Sequence, residues 1–123
     1  MLSAVAALAS SLYPDDEVDI YIGAHADDAA GNAYADCSFE FNYAMGEAIR
    51  IGTYKMVNVK APFVEKNKAE VVKTGLDLGV PYELTWSCYN GGDKPCGKCA
   101  TCIDRAKAFA ANNVADPAIQ EED

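Results

Sequence analysis

Residues 85–105 read TWSCYNGGDKPCGKCATCIDR. Four of the five cysteines of the chain lie in this segment, at Cys88, Cys96, Cys99 and Cys102. The Cys-Gly-Lys-Cys turn suits a metal site, because Gly97 lets the backbone fold over an ion. Four thiolates with no nearby histidine are typical of a tetrahedral zinc site, which is structural and leaves no coordination position open for chemistry. The segment therefore predicts a zinc-held loop in the C-terminal part of the chain.

Three other interpretations of these cysteines stay open. Disulfide bonds would need an oxidising compartment, and an odd number of cysteines argues against them. An iron–sulfur cluster also uses four cysteines, and spacing alone does not distinguish it from zinc. The cysteines could also be unrelated buried thiols, although so close a grouping favours a shared ion. Lys94, Lys98 and Arg105 lie near enough in the sequence to offset the negative charge of four thiolates.

The composition narrows the class of protein. The chain has 123 residues, half of them hydrophobic, which is enough for one small domain with a core. A net charge of −9 gives no support for binding to nucleic acid or to anionic membranes. The apolar N-terminal segment lacks the basic residues that open a signal peptide, and no apolar run reaches the ~20 residues of a membrane span. We therefore expect a cytoplasmic protein, with residues 120–123 as a solvated tail.

Hydrophobic periodicity and capping residues predict alternating helices and strands. Helices are expected at about 2–12, 39–51, 68–78 and 102–112, and strands at 18–23 and 54–59. Asn67 and Glu70 have the spacing of a capping box at the start of the third helix. The alternation predicts an α/β fold, in which crossover helices join parallel strands and a small zinc-binding appendage follows. The expected division is an α/β part at 1–86 and a zinc-binding segment with the terminal helix at 87–123.

Two of the predicted helices carry apolar residues at helical spacing, which predicts the side of each helix that faces the core. In the first helix these residues are Leu2, Val5, Leu8 and Leu12. In the last helix they are Ile103, Ala106, Phe109 and Ala110.

The loop after the first predicted strand, residues 23–37, is the first place to expect a ligand, because ligands bind beyond the carboxyl ends of parallel strands. Asp27 and Asp28 could hold a divalent cation or accept hydrogen bonds, or they could simply be solvated. His25 is a possible acid or base, although a lone histidine in a loop is more often a surface group. Cys37 has no evident partner base, so we expect a small buried hydrophobe rather than a nucleophile.

Several long segments together resemble the 7-cyano-7-deazaguanine synthase family. They are residues 83–109, ELTWSCYNGGDKPCGKCATCIDRAKAF, with the later pair Asp116-Pro117; residues 61–83, APFVEKNKAEVVKTGLDLGVPYE; and residues 20–41, IYIGAHADDAAGNAYADCSFEF. The resemblance covers nearly the whole chain in collinear order. Motifs of this length are far more specific than a cysteine pattern alone.

The resemblance implies a fold like that of the adenine nucleotide alpha hydrolases and an ATP-dependent C–N ligase of queuosine biosynthesis. Members of the family convert 7-carboxy-7-deazaguanine and ammonia to the nitrile, with ATP and magnesium in the complete enzyme. The expected partners are therefore these small molecules, without direct contact to nucleic acid or a membrane, and the family tends to form homodimers.

The resemblance also implies roles for individual residues. The zinc ligands of the family correspond to the four clustered cysteines. A Tyr-Pro-Asp-Cys motif corresponds to Tyr34, Asp36 and Cys37, with alanine in place of the proline, and a Thr-Lys-Ala-Glu motif places its lysine at Lys68, with Asn67 in place of the threonine. Together with Asp27, three of these residues, Tyr34, Asp36 and Lys68, are the candidates for substrate binding. No catalytic residue can be assigned.

One departure from the family pattern bears on activity. The family's Ser-Gly-Gly-x-Asp-Ser loop, which binds pyrophosphate, does not occur, and the Gly91-Gly92 pair lies inside the cysteine segment. We therefore expect the C-terminal part of a synthase, as a fragment, a truncated frame or a split subunit, which alone binds zinc but does not hydrolyse ATP. The alternatives are a non-catalytic zinc-binding module or partner subunit, and a diverged relative that modifies another substrate, such as a tRNA base.

Overall fold

The computed structural model describes residues 1–30 and 33–119. The chain forms two compact units, Met1–Lys66 and Asn67–Asp123. The helices and strands, in chain order, are α1 (Leu2–Leu12), β1 (Val18–Tyr21), α2 (Ala26–Ala29), α3 (Phe39–Gly52), β2 (Val57–Lys60), α4 (Lys68–Asp77) and α5 (Ala100–Ala111). Two 3₁₀ turns cover Ala35–Cys37 and Tyr82–Leu84. The tail expected at 120–123 lies outside the described residues.

The first unit is built on a parallel pair of strands. β1 pairs with β2 in a register that sets Val18 opposite Val57 and Tyr21 opposite Lys60. Parallel neighbours need a crossover connection, and α3 provides the main helix of that connection. The prediction of parallel strands joined by a crossover helix is confirmed. The predicted division at residues 86 and 87 stays a prediction.

The second strand begins three residues later than expected. Tyr54 and Lys55 have φ angles of 53° and 68°, in the left-handed region that a strand does not use. The Lys55 N–H donates to the carbonyl oxygen of Arg50 at 2.6 Å, so these residues form the turn that ends α3. The apolar sequence after the turn was correctly identified as a strand, but left-handed residues without glycine gave no sequence signal.

The core of the first unit uses a different face of α1 from the one predicted. Its buried residues are Leu2, Ala6, Ala9, Ile20, Ile49 and Val57. The predicted face contributes Leu2 alone, while Val5, Leu8 and Leu12 are 41–61% exposed. The small alanines let the helix approach the strands closely, so the bulky residues were the wrong guide to the buried side.

In the second unit, α4 begins with the predicted capping box. Asn67 Oδ1 accepts a hydrogen bond from the Glu70 N–H at 2.9 Å, and Glu70 Oε2 accepts one from the Asn67 N–H at 2.8 Å. These two bonds satisfy two of the donors that a helix N-terminus leaves without intrahelical partners. The prediction is confirmed, and it fixes where the helix starts.

Helices α4 and α5 pack together through a small apolar core. Val72, Ala108 and Phe109 are buried, and the ring of Tyr82 meets that of Phe109 edge to face at 5.1 Å between centroids. Tyr82 Oη donates to the Val72 carbonyl oxygen at 3.1 Å. Any side chain larger than hydrogen at Gly75 would collide with the Tyr82 ring, so glycine at this position makes the packing possible.

The buried side of α5 also differs from the prediction. Its buried residues are Cys102, Arg105, Ala108 and Phe109. Of the predicted face only Phe109 is buried; Ile103 is 42% exposed, and Ala106 and Ala110 are exposed. A charged residue on the buried side was not expected, and its partners are described below.

Among the residues that the structure describes, no helix is both long enough and apolar enough to cross a lipid bilayer.

Candidate functional site

The four clustered cysteines converge on one point. The Sγ atoms of Cys88, Cys96, Cys99 and Cys102 all lie within 4.8 Å of one another. Ideal tetrahedral zinc with Zn–S bonds of ~2.3 Å would set its sulfurs about 3.8 Å apart. None of the five cysteines is bridged to another, so all four sulfurs are available as ligands. The structure therefore brings together the four cysteines that the spacing singled out, and the set could hold a metal ion such as zinc.

Loop geometry and a helix start position these sulfurs. Gly97 has a φ of +68°, which lets the backbone turn between Cys96 and Cys99. Cys99 is the N-cap of α5, and Cys102 lies in the first turn of that helix, where it is 2% exposed. Two of the four sulfurs therefore belong to the start of a regular helix, and two to the preceding loop.

Several N–H groups donate hydrogen bonds to the cysteine sulfurs, and those to Cys96 favour its thiolate form. Cys96 Sγ accepts from the N–H groups of Lys98 at 3.4 Å and of Cys99 at 3.3 Å, and from Asn90 Nδ2 at 3.3 Å. Cys88 Sγ accepts from the Cys96 N–H at 3.4 Å. Such donors reduce the negative charge on the sulfurs and hold the ligands in place.

The protonation of the thiols follows from these contacts. The Thr101 hydroxyl, followed by backbone N–H groups, lowers the pKa of Cys99 to about 5. Backbone N–H groups of Lys98 and Cys99 lower the pKa of Cys96. Burial, and then the neighbouring Cys99 sulfur, raise the pKa of Cys102 to about 12. Cys96 and Cys99 therefore lose their protons more readily than free cysteines, whereas Cys102 holds its proton more strongly and gains most from the charge of a bound cation.

Arg105 does not offset the charge of the cysteines as its position in the sequence suggested. Its guanidinium forms an ion pair with Asp116, with Nη2 donating to Oδ1 at 2.8 Å. The side chains of Arg105 and Asp116 are only 8% and 5% exposed. Burial raises the pKa of the Asp116 carboxyl, but the Arg105 hydrogen bonds outweigh it, and the pKa lies below its ordinary value.

The loop after β1 contains a contact that the sequence reasoning missed. His25 Nε2 lies 3.1 Å from Asp28 Oδ2. His25 is the N-cap residue of α2, and Asp28 is in the first turn of that helix. The spacing of three residues in His-Ala-Asp-Asp was the available signal, since residues three apart meet on a helix. Asp28 is half-buried, whereas the predicted candidate Asp27 is exposed.

The other candidates of this loop lie close to one another along the chain. The Tyr34 N–H donates to the Asp28 carbonyl oxygen at 3.0 Å, and the Asp36 carbonyl oxygen accepts from Asn42 Nδ2 at 3.1 Å. Tyr34 and Asp36 are exposed. Burial, and then the charges of Asp28 and Asp36, raise the pKa of Cys37 above its ordinary value, which argues against a thiolate nucleophile there. The fourth candidate, Lys68, is the first residue of α4 and belongs to the second unit.

Comparison with known proteins places the chain. Residues 1–113 match the family described as queuosine biosynthesis protein QueC. The chain is similar to 7-cyano-7-deazaguanine synthases from Archaeoglobus fulgidus, at 47% identity over 106 residues, and from Marinobacter nauticus, at 44% over 102 residues. These alignments cover 85% and 83% of this chain but only 44% and 45% of the relatives, so the chain spans less than half their length. The chain belongs to the QueC family of queuosine biosynthesis proteins.

Proposed function

We propose that the chain is the metal-binding part of a 7-cyano-7-deazaguanine synthase. The observation that carries the proposal is the family match over residues 1–113, which contains the whole cysteine cluster. We further propose that the bound ion is zinc and that the fold is that of the adenine nucleotide alpha hydrolases. A parallel strand pair with a crossover helix supports that fold, and a tetrathiolate ligand set with hydrogen-bonded sulfurs supports zinc.

The role proposed for the ion is structural. Four cysteine ligands complete a tetrahedral shell, so no coordination position remains for a substrate or a water molecule. When bound, the ion would hold the loop that contains Cys88 and Cys96 against the start of α5. We keep the division expected from the sequence, with an α/β part at 1–86 and a zinc-binding segment at 87–123, because all four cysteines lie in the second segment.

The proposed reaction converts 7-carboxy-7-deazaguanine, ammonia and ATP to the nitrile, with magnesium as the partner of ATP. A carboxylate is a poor acyl donor, so a first ATP is attacked by the carboxylate oxygen, giving an acyl adenylate and pyrophosphate. Ammonia then displaces AMP and leaves an amide. A second ATP activates the amide oxygen in the same way, and loss of AMP and of the protons on nitrogen gives the C≡N bond.

The proposed substrate-binding residues are Asp27, Tyr34, Asp36 and Lys68. The first three follow the carboxyl end of β1, which is where α/β proteins with parallel strands bind ligands. A carboxylate in that region can accept hydrogen bonds from the N–H groups of a deazaguanine ring. Lys68, at the start of α4, has the chemistry to bind a phosphate or carboxylate group.

We also propose where the protein is located and how it assembles. A cluster of unbridged cysteines arranged around one point suits a reducing compartment, which supports a cytoplasmic protein. The partners proposed are the small-molecule substrates, not nucleic acid or a membrane, and the proposed assembly is a homodimer.

A chimaera tests the proposed function. This chain would replace the aligned C-terminal part of the Archaeoglobus fulgidus synthase, to which it is 47% identical. The purified chimaera would be incubated with 7-carboxy-7-deazaguanine, ammonium and ATP, and the product analysed by mass spectrometry. We expect the nitrile, with AMP and pyrophosphate formed alongside it.

Two variants of the chimaera sharpen the test. Asp36→Asn should lower the rate of nitrile formation with the zinc content unchanged, whereas Lys73→Ala, on the exposed side of α4, should leave both unchanged. A folded, zinc-loaded chimaera that makes no nitrile would contradict the proposed activity and favour the non-catalytic zinc module.

A further inference from the structure

The guanidinium of Arg105 is fully hydrogen-bonded inside the second unit. Nε and Nη2 donate to the two carboxylate oxygens of Asp116, and Nη2 also donates to the Tyr82 carbonyl oxygen at 3.1 Å. Nη1 donates to Thr85 Oγ1 at 2.8 Å and to the Thr85 carbonyl oxygen at 3.2 Å. An arginine has five N–H donors, and all of them are used here. A buried arginine bound in this way holds several backbone segments in one geometry.

The segments that Arg105 joins are the two ends of the cysteine segment. Thr85 lies three residues before Cys88, and Arg105 lies three residues after Cys102. Cys102 and Arg105 are both buried on α5, one turn apart, so the helix fixes the guanidinium relative to the Cys102 sulfur. The contact with Thr85 then fixes the chain just before Cys88.

A second contact, inside the segment that Arg105 closes, also holds the chain before Cys88 close to α5. Thr101 Oγ1 donates to the Ser87 carbonyl oxygen at 2.6 Å and lies 3.2 Å from Cys99 Sγ. The residue before Cys88 is therefore tied to the first turn of α5, next to Cys99 and Cys102. Ordering a loop before its ligand arrives removes part of the entropy that binding would otherwise have to overcome.

We propose that Arg105 is a positioning residue for the metal ion. By holding Thr85, Tyr82 and Asp116 around one guanidinium, it closes the cysteine segment and brings Cys88 to the two cysteines of α5 before the ion binds. The inference rests on the proposed zinc site. It assigns to the buried arginine a function in metal affinity rather than in charge compensation.

Zinc binding by the 123-residue chain tests this inference. Zinc affinity would be measured by competition with a chromophoric chelator, and zinc release by transfer to excess chelator. Arg105→Met keeps the length of the side chain but removes all five donors, and it should weaken zinc binding by about 10- to 100-fold, the range for residues that orient metal ligands. Arg105→Lys should recover only a small part of the lost zinc affinity, since an ammonium cannot reproduce the planar fork of a guanidinium.

A matched control separates positioning from general stability. Val72→Ala weakens the packing of α4 on α5 from the α4 side and leaves Arg105 and its partners Thr85, Tyr82 and Asp116 unchanged. Compared at an equal fall in Tm, Val72→Ala should change zinc affinity by less than Arg105→Met. The cobalt-loaded proteins should show the same tetrahedral thiolate absorption bands at saturation, because the ligands themselves are unchanged.

A milder variant keeps the inference testable if Arg105→Met does not fold. Thr85→Val removes the Oγ1 acceptor from a half-buried residue and leaves the pair of Arg105 with Asp116 intact. Faster zinc release from Thr85→Val would support the inference. Equal losses of affinity in Arg105→Met and Val72→Ala, or unchanged affinity and release in the Arg105 and Thr85 variants, would overturn it. A wild-type chain that binds no zinc would overturn the proposed metal site as well.

Discussion

The two units of the chain are stabilised by different kinds of interaction. The first unit buries a cluster of aliphatic side chains between α1, α3 and the two strands. The second unit has a smaller apolar cluster, centred on Phe109, and adds to it a buried ion pair and four converging sulfurs. An aliphatic core acts through burial alone, whereas a polar network works only when every partner is present. The second unit should therefore respond to a metal ion and to pH in ways that the first does not.

Removal of the proposed zinc ion should have the largest effect on the stability of the second unit. Structural zinc in zinc-finger peptides contributes about 10–16 kcal/mol of apparent binding free energy at neutral pH. We expect a chelator to lower hydrogen-exchange protection most in the loop around Cys96 and in the first turn of α5, while α1 and α3 stay protected. Hydrogen exchange with mass spectrometry on the whole chain would measure both.

Two cysteine variants give a matched check on that result. Cys99→Ser should lower the zinc content and reproduce the effect of the chelator, and Cys37→Ser, outside the cluster, should retain one zinc per chain. Equal loss of protection in both units on chelation would remove the distinction between them.

The buried ion pair should give the next largest effect. Asp116→Ala leaves the Arg105 charge buried without its partner, and breaking such a pair destabilises a protein by about 3–5 kcal/mol. Urea unfolding of the second unit at neutral pH, followed by circular dichroism, would measure the loss. Asp104→Ala, at an exposed position on α5 beside Arg105 in the chain, is the control.

The same carboxylate predicts a dependence on pH. The pKa of Asp116 lies below its ordinary value in the folded chain. Its contribution is therefore complete above the unfolded pKa of ~3.9 and is lost as the pH falls through the lower folded pKa. The difference in stability between wild type and Asp116→Ala should shrink on acidification. Thiolate protonation affects both proteins, so a difference that stays constant down to pH ~2 would contradict the assignment.

A cavity in the core of the first unit should lower the free energy of unfolding by less than the loss of the buried ion pair does. Val57 is 1% exposed at the centre of the aliphatic cluster, and Val57→Ala should lower the free energy of unfolding of that unit by about 2 kcal/mol. Leu8→Ala, on the exposed side of α1 at 57% exposure, should change it by about 0.5 kcal/mol or less. A larger loss of stability for Leu8→Ala than for Val57→Ala would indicate that the side of α1 predicted from periodicity faces the core after all.

The helix caps, one in each unit, should give the smallest effects on stability. Asn67→Ala removes the capping box of α4, and Ser38→Ala removes the side-chain oxygen that accepts from the Phe41 N–H at the start of α3. Each should destabilise its own unit by about 1 kcal/mol, with the larger value for the reciprocal pair at Asn67. Thermal unfolding monitored by NMR signals from each unit would detect both.

Much of this organisation was predictable from the sequence. The cysteine spacing predicted the cluster, because four cysteines within fifteen residues can reach one shared ion. The spacing of Asn67 and Glu70 predicted the start of α4, because both partners of the capping box are local. The alternation of helices and strands predicted the parallel pair, and the long motifs identified the family, to which the chain belongs.

The errors have a common physical origin. On α1 and α5, the largest apolar residues were taken to mark the core. The buried side of α1, however, consists of Leu2 and two alanines, and that of α5 includes Arg105. Close approach favours small side chains, and a charge can be buried when a partner eleven residues away in the chain, such as Asp116, satisfies it. Neither condition is visible in the periodicity of one helix. The turn at Tyr54 and Lys55 was missed because its left-handed residues are not glycines.

The chain has a single tryptophan, and its position gives the protein an intrinsic optical probe. Trp86 Nε1 donates to the carbonyl oxygen of Cys88 at 2.9 Å, so the indole is bonded to the backbone of one proposed metal ligand. The ring is 50% exposed, and the wavelength of its emission depends on that exposure. Movement of Cys88 on metal binding should therefore shift the fluorescence of the whole chain. Trp86 fluorescence would then report metal occupancy in real time without a label, also in a larger protein that contains this chain and has no further tryptophan.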